Sequence, residues 1–216
     1  MRPAAGGDGR DRRQVFETSY LGLRELMIPS VGSGAPRRRY PLLRPLGLLV
    51  LRVTGWTGEG EVPDCPRVVV AIAPHSSNWD FVVGAAMLVA LELRISYIAK
   101  HTLFVGPLGW LVRWLGGIPV DRSRPEGFAE MMIRVFAGTQ PRWLVITPEG
   151  TRKPVPRFKT GFYRIAQEAG VPIVPVYFNH ERRVIGFLPP VQPLSDIDQG
   201  VAELRELLLR YGARKT

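Results

Sequence analysis

The stretch VVVAIAPHSSNWD, residues 68–80, joins an apolar, β-branched run to a polar segment that contains a histidine and an aspartate. A short apolar run of this kind is typical of a buried strand, so we predict one over residues 68–73. His75 and Asp80 lie five residues apart, and residues at that spacing on a continuous helix point to different sides. We therefore expect His75 in the loop after the strand and Asp80 in the first turn of the next helix, with residues 76–78 as helix caps.

The His75 and Asp80 pair has the composition of a general base and its orienting acid. A carboxylate that accepts a hydrogen bond from one ring nitrogen fixes the tautomer and leaves the other nitrogen free to take a proton. Histidine–aspartate pairs also occur in purely structural roles. The pair alone leaves both interpretations open, and the residues that follow the other strands bear on the choice.

Strands and helices alternate along the chain after residue 66. We predict further strands over residues 95–99, 118–120, 143–147 and 171–178, and helices over residues 80–93, 107–115, 125–137, 161–169 and 201–209. Such alternation indicates an α/β fold. We expect a single domain with a mixed, largely parallel central sheet flanked by helices.

The N-terminal part of the chain differs in composition from the rest. In order, it contains a basic Arg/Gly-rich tail (1–13), a candidate short helix (14–28) and a Gly/Ser/Pro linker (29–36). We therefore separate residues 1–40 from a folded domain over residues 41–216, whose motif-bearing core is 67–178. A helix over residues 41–56 carries leucines and arginines that suit either core packing or the plane of a membrane interface.

The net charge of +10 favours anionic partners. No recognised nucleic-acid motif occurs, so we expect an anionic membrane surface or phosphorylated substrates as partners and no nucleic acid. The basic run 37–39 suits lipid headgroups or a solvated linker equally. No uninterrupted apolar stretch reaches the roughly 20 residues of a transmembrane helix. One cysteine, Cys65, and three scattered histidines form no metal-ligand pattern, so we expect no metal.

Polar groups follow each of the first four predicted strands, where α/β proteins form their sites. They are His75, Lys100, the pair Asp121 and Arg122, and the run Glu149-Gly150-Thr151-Arg152. Arg152 and the backbone near Gly150 suit a phosphate. Glu149 could hold Arg152 in place or accept a hydrogen bond from a substrate hydroxyl. The alternatives are a solvated basic loop for this run and a structural ion pair for Arg122.

In order along the chain, these stretches resemble the four sequence blocks of the glycerol-phosphate and lysophosphatidic acid acyltransferases. HSSNWD (75–80) resembles the catalytic H-x-x-x-x-D block, GIPVDR (117–122) the second block, PEGTR (148–152) the E-G-T-R block and VPIVPV (171–176) the fourth. Lys100 also resembles the conserved lysine between the first two blocks. The resemblance covers residues 67–178.

The resemblance implies an O-acyltransferase of phospholipid biosynthesis. It would move a fatty acyl group from acyl-CoA or acyl-carrier protein to a lysophospholipid, by default 1-acylglycerol-3-phosphate, giving phosphatidic acid. His75 would be the base, oriented by Asp80, and no cofactor beyond the acyl co-substrate is expected. The phosphate-binding residues would be Lys100, Arg122, Glu149, Gly150, Thr151 and Arg152.

The same resemblance implies peripheral or monotopic attachment to the cytoplasmic face of a membrane. Two alternatives stay open at this point. One is an acyltransferase for another lysolipid or glycolipid acceptor, and the other is a basic membrane-binding module without turnover.

Overall fold

The computed structural model describes residues 26–120, 130, 132–133, 136 and 140–213. Its helices are α1 (Leu43–Thr54), α2 (Asn78–Ala90), α3 (Gly106–Trp114), α4 (Gly161–Glu168) and α5 (Ile197–Tyr211). Its strands are β1 (Thr57–Gly60), β2 (Arg67–Ile72), β3 (Ile95–Lys100), β4 (Gly117–Val120), β5 (Arg142–Ile146), β6 (Ile173–Asn179) and β7 (Val184–Phe187). A 3₁₀ turn, His101–Leu103, follows β3.

The strands form one seven-stranded sheet in the order β1-β7-β6-β2-β5-β3-β4. Neighbouring strands are parallel at every position except β6 and β7, which pair antiparallel. The expected mixed, largely parallel sheet is therefore confirmed.

The sheet is buried on both faces, as the side chains of β2 demonstrate. Val68 and Val70 pack into a core shared with α1 and α2, whereas Val69 and Ala71 pack into a second core with α4 and α5. Successive side chains of a strand point to opposite faces, so an unbroken apolar strand fits a sheet covered by helices on both sides. The fold is a three-layer α/β arrangement.

The helix expected over residues 41–56 is present as α1, and it packs against α2. A Cβ atom on Gly47 would lie 2.5 Å from Val89 Cγ2 and 2.7 Å from the Ala86 carbonyl oxygen, so only glycine permits this close approach. Leu51 on the same helix is fully buried. Core packing thus accounts for one face of α1, and its other face is exposed.

The linker expected over residues 29–36 packs against the domain. Ala35 is buried, and the nearby Tyr40 hydroxyl donates to the Leu93 carbonyl oxygen at 3.2 Å. The apolar contacts of these side chains outweigh the turn-forming composition of the stretch. The basic tail and most of the candidate helix over residues 14–28 lie outside the described residues, and residues 26–28 are not helical.

Two strands, β1 and β7, were not predicted from the sequence. The TGEG sequence of β1 has two glycines and a charged residue, all of which are unfavourable in strands. It becomes a strand by pairing in parallel with β7, more than 120 residues later.

Of the helix predicted over residues 125–137, the four described residues are helical. Among the described helices, none has the length and apolar character to cross a bilayer.

Candidate active site

The carboxyl ends of five parallel strands meet at one edge of the sheet, because β6, β2, β5, β3 and β4 are neighbours in that order. His180 follows β6, His75 follows β2, residues 147–152 follow β5, and Lys100 ends β3. Four strands therefore bring chemically active side chains to the same edge, where sites of α/β proteins form.

His75 lies in the loop after β2, and Asp80 lies in the first turn of α2, as the five-residue spacing indicated. Ser77 is the N-cap of α2 and forms a capping box in which the Asp80 carboxylate faces back toward the cap. Asp80 Oδ2 accepts from the Ser76 and Ser77 N–H groups at 2.6 and 2.9 Å. This reversed orientation also brings Oδ2 to 3.1 Å from His75 Nδ1.

Asp80 is almost completely buried, and its charged state is stabilised by the groups around it. Burial by itself would raise its pKa, but hydrogen bonds from the His75 ring and from the Ser77 and Ser76 backbone outweigh burial. The pKa of Asp80 therefore lies well below its ordinary value, and the start of α2 adds a favourable dipole. An ionised Asp80 only accepts hydrogen bonds, so His75 Nδ1 carries the proton.

His75 Nε2 is then the basic atom of the ring. Within the part of the chain that the structure describes, no hydrogen bond reaches this nitrogen. The His75 side chain lines a cavity between α2 and the sheet. The arrangement can accept a proton from a molecule in that cavity, which is the chemistry of a general base.

Glu149 holds the loop that carries His75. Its side chain is buried, and its Oε2 accepts the backbone N–H of His75 at 2.7 Å. The contact joins the loop after β5 to the loop after β2. Of the two roles considered for Glu149 from sequence, neither included this one, because the contact spans 74 residues of chain.

Gly150 shapes the turn after β5. Its φ of +64° is in the left-handed region, and a Cβ atom there would lie 2.8 Å from Lys159 Cε. The sequence predicts phosphate donors among the backbone N–H groups near Gly150, and the N–H of Gly150 itself donates to the Thr147 carbonyl oxygen at 3.1 Å. Gly150 thus permits the turn that places Thr151 and Arg152 at the cavity.

Two cationic side chains come directly after this turn in the sequence. Arg152 and Lys153 are exposed and line the cavity that His75 lines, and Thr151 lies beside them. Lys100 lies at the same edge of the sheet, exposed, and is not among the residues that line the cavity. Arg122 lies outside the described residues.

The cavity has a volume of about 650 Å³ and extends from His75 between α2 and the sheet. Its walls are largely apolar and include Val70, Met87, Leu88, Leu91, Trp143 and Val145. Tyr97 also lines it, and burial raises the pKa of that phenol to about 12, so the wall there is uncharged. An apolar cavity of this size with cations at its mouth suits a ligand that has a long hydrocarbon part and an anionic head.

His180 is a site residue that the sequence reasoning missed. Its Nε2 lies 2.7 Å from Asp80 Oδ1, on the carboxylate oxygen opposite the one that faces His75. From the sequence, His180 was considered only as a metal ligand. Its position directly after a strand was the available signal, because the same rule identified the other candidates. Within the described residues, no three acidic, histidine or cysteine side chains cluster as metal ligands do.

Comparison with known proteins identifies the same family as the motifs. Residues 57–179 match the protein-family model described as Acyltransferase. The 1-acyl-sn-glycerol-3-phosphate acyltransferase of Pseudomonas aeruginosa is 28% identical over 127 residues, which are 56% of this chain and 48% of that protein. The human 1-acyl-sn-glycerol-3-phosphate acyltransferase alpha is 33% identical over 149 residues, or 60% of this chain and 51% of that protein. The chain spans about half the length of these curated relatives.

A solved structure has the same fold. The 1-acyl-sn-glycerophosphate (LPA) acyltransferase PlsC from Thermotoga maritima superposes with a TM-score of 0.61, covering 78% of this chain and 76% of that chain at 22% identity. The matched family region contains His75, Asp80, Lys100 and the run 149–152. Since the family model matches more than half of the sequence, this chain belongs to the acyltransferase family.

Proposed function

We propose that this acyltransferase moves a fatty acyl group from the thioester of acyl-CoA or acyl-carrier protein to the free hydroxyl of a lysophospholipid, with 1-acylglycerol-3-phosphate as acceptor and phosphatidic acid as product. The observation that carries the proposal is the position of His75. Its ring is held by Asp80 on one side and lines, on the other, an apolar cavity with Arg152 among its lining residues. The names of the relatives support the choice of acceptor.

In the proposed mechanism, His75 Nε2 removes the proton from the acceptor hydroxyl. The oxygen attacks the thioester carbonyl, forming the C–O bond and a tetrahedral oxyanion. Collapse of this intermediate breaks the C–S bond, and the leaving thiolate takes the proton back from Nε2. Asp80 stays ionised throughout and stabilises the imidazolium. General-base catalysis of this kind contributes on the order of 100- to 10,000-fold.

The phosphate of the acceptor would be bound by cations at the same edge of the sheet. Arg152 is suited to a bidentate contact, and Lys153 beside it adds positive charge. Lys100 and Thr151 would contribute from the sheet edge and the turn. Arg122 keeps the role that the family resemblance implies for it. The acyl chain would occupy the apolar part of the cavity, which has the volume of a typical small-molecule site.

We further propose that the protein lies on the cytoplasmic face of an anionic membrane, where its acyl donors are available. The exposed face of α1 and the start of α2 form an apolar surface made of Leu42, Leu46, Leu49, Val53, Trp79, Phe81 and Val82. Leu42 and Val53 are 86% and 71% exposed. Large exposed apolar side chains on two helices that pack together support binding to a partner or a membrane.

Two features connect this apolar surface to the lipid chemistry. Phe81 belongs to the surface and also lines the cavity, so a lipid chain leaving the bilayer would reach the base without crossing water. Arg39 and Arg44 are exposed near α1 and suit anionic headgroups. Arg38 of the basic run has another role, because its guanidinium stacks on Trp114 at 4.3 Å from the ring centroid.

The activity is tested with labelled long-chain acyl-CoA and 1-acylglycerol-3-phosphate in vesicles, comparing wild type with His75→Ala and Arg152→Ala. We expect labelled phosphatidic acid from wild type, none from His75→Ala, and a raised KM for the acceptor in Arg152→Ala. Arg210→Ala, an exposed arginine on α5 that pairs with Glu206, is the matched control. Transfer to a different lysolipid would keep the base and replace the acceptor. Inactivity of folded wild type toward every donor and acceptor would favour the non-catalytic membrane-binding module.

Membrane attachment is tested by sedimentation with phosphatidylglycerol-containing vesicles. The double variant Leu49→Glu/Val53→Glu should lose most of its bound fraction, because two charges would enter the interface. Leu209→Glu places a charge on another exposed leucine, on α5 across the sheet, and should sediment like wild type. Equal binding by all three proteins would reject the α1 surface.

A further inference from the structure

His180 lies at the end of β6, next to the strand that leads to His75. β6 and β2 are parallel neighbours, with Val70 opposite Val174 and Ile72 opposite Val176, so their carboxyl ends are side by side. His180 follows the last residue of β6, Asn179. The sheet thus brings together two histidines that are 105 positions apart in the chain.

The two histidines contact opposite oxygens of one carboxylate. His180 Nε2 is 2.7 Å from Asp80 Oδ1, and His75 Nδ1 is 3.1 Å from Asp80 Oδ2. His180 Nε2 is also 3.5 Å from the Ser76 hydroxyl, a distance at which a hydrogen bond is weak. Because ionised Asp80 only accepts, the short contact requires a proton on His180 Nε2.

The His180 ring is held in place from several directions. Its side chain is 9% exposed, and its edge contacts the Trp56 indole with a centroid distance of 5.1 Å. Its backbone N–H donates to the Ala213 carbonyl oxygen at 3.0 Å. The buried neighbour Asn179 fixes the turn, since its amide donates to the Tyr211 carbonyl oxygen at 2.9 Å. An imidazole fixed this firmly orients the group that it contacts.

We propose that His180 is a positioning residue for acyl transfer, which acts on His75 through Asp80; the inference rests on the function proposed above. By donating to Oδ1, His180 opposes rotation of the Asp80 carboxylate and keeps Oδ2 directed at His75 Nδ1. No proton passes to His180 during the reaction. The proton moves from the acceptor hydroxyl to His75 Nε2 and from there to the thiolate, while the two Asp80 contacts stay as they are.

The test compares His180→Leu, which removes the donor, with His180→Gln, whose amide nitrogen can donate from nearly the same place. In vesicle assays we expect kcat of His180→Leu to fall about tenfold, the effect of losing a hydrogen bond to a charged group. KM for both substrates should stay within about twofold, and His180→Gln should recover most of the rate. A purely structural role would give equal losses for both substitutions and a matching loss of thermal stability.

A double-variant comparison isolates the path through Asp80. In an Asp80→Ala background, His180→Leu should cause no further fall in kcat, because the carboxylate that it orients is gone. Additive losses, or a kcat of His180→Leu within about twofold of wild type, would overturn the inference.

Proton NMR provides a readout that does not depend on activity. The downfield N–H resonance of the His75–Asp80 hydrogen bond should broaden or disappear in His180→Leu and persist in His180→Gln. Persistence in both variants would refute positioning by His180. Inactive wild type would instead reject the proposed function, and with it the reaction that His180 would serve, so the two failures are distinguishable.

Discussion

Replacing Glu149 with glutamine should lower turnover without weakening acceptor binding. The carboxylate is buried and accepts the His75 N–H at 2.7 Å, so Glu149 acts on the loop that carries the base. Hydrogen bonds to charged groups contribute about 1.5–3 kcal/mol and neutral ones about 0.5–1.5 kcal/mol. Exchanging the carboxylate for an amide therefore destabilises, by about 1 kcal/mol, the loop conformation that directs His75 into the cavity.

A loss of that size corresponds to about a fivefold fall in kcat and, for a chain of this length, to a fall of about 2–4 °C in Tm. Steady-state thiol release at varied lysophospholipid concentration measures kcat and KM separately, and calorimetry measures Tm. KM for the acceptor should stay within about twofold. Glu206→Gln, which removes an exposed glutamate carboxylate on α5, is the control and should leave kcat and KM unchanged. A fivefold rise in KM at constant kcat would refute the reasoning and indicate that Glu149 binds substrate.

Three further substitutions test the electrostatics, the turn and the cavity. Asp80→Asn should be less stable than wild type at pH 7, and the difference in unfolding free energy should narrow as pH falls below about 4. The pKa of Asp80 is depressed in the folded state. The stabilisation from its charge is therefore complete above the pKa of the unfolded state and is lost on acidification. Urea unfolding from neutral to acid pH measures this gap, and a constant gap would contradict it. Gly150→Ala should lower the unfolding free energy by about 1–2 kcal/mol because its φ is +64°, whereas Gly161→Ala, whose Cβ would meet nothing within 4 Å, should not. Leu88→Trp should shift the kcat/KM ratio toward shorter acyl thioesters by about tenfold; an unchanged ratio would mean that the acyl chain binds elsewhere.

The central part of the fold follows from local sequence patterns. Apolar, β-branched runs predicted β2, β3, β5 and β6 to within two residues at each end, and the alternation with helices predicted a largely parallel sheet. Strand β1 (TGEG) has no such pattern, and the apolar residues of β7 (VIGF) form a run of only four positions that a glycine interrupts. They are strands because they pair with each other and with β6, and pairing partners are not encoded in four residues.

The candidate site likewise combines one contact that local sequence specifies with two contacts that depend on the fold of the whole chain. The contact between His75 and Asp80 follows from local sequence. A capping box at Ser77 directs the N3 carboxylate back toward the loop that carries His75, so the motif predicts the pair. Two other contacts, of Glu149 with the His75 backbone and of His180 with Asp80, form only when distant parts of the chain fold together. Each joins residues 74 or more positions apart, and the order β6-β2-β5 in the sheet is what makes them neighbours. Short-range hydrogen bonds fix the geometry of a turn, whereas strand order depends on the packing of the whole core, which no single segment specifies.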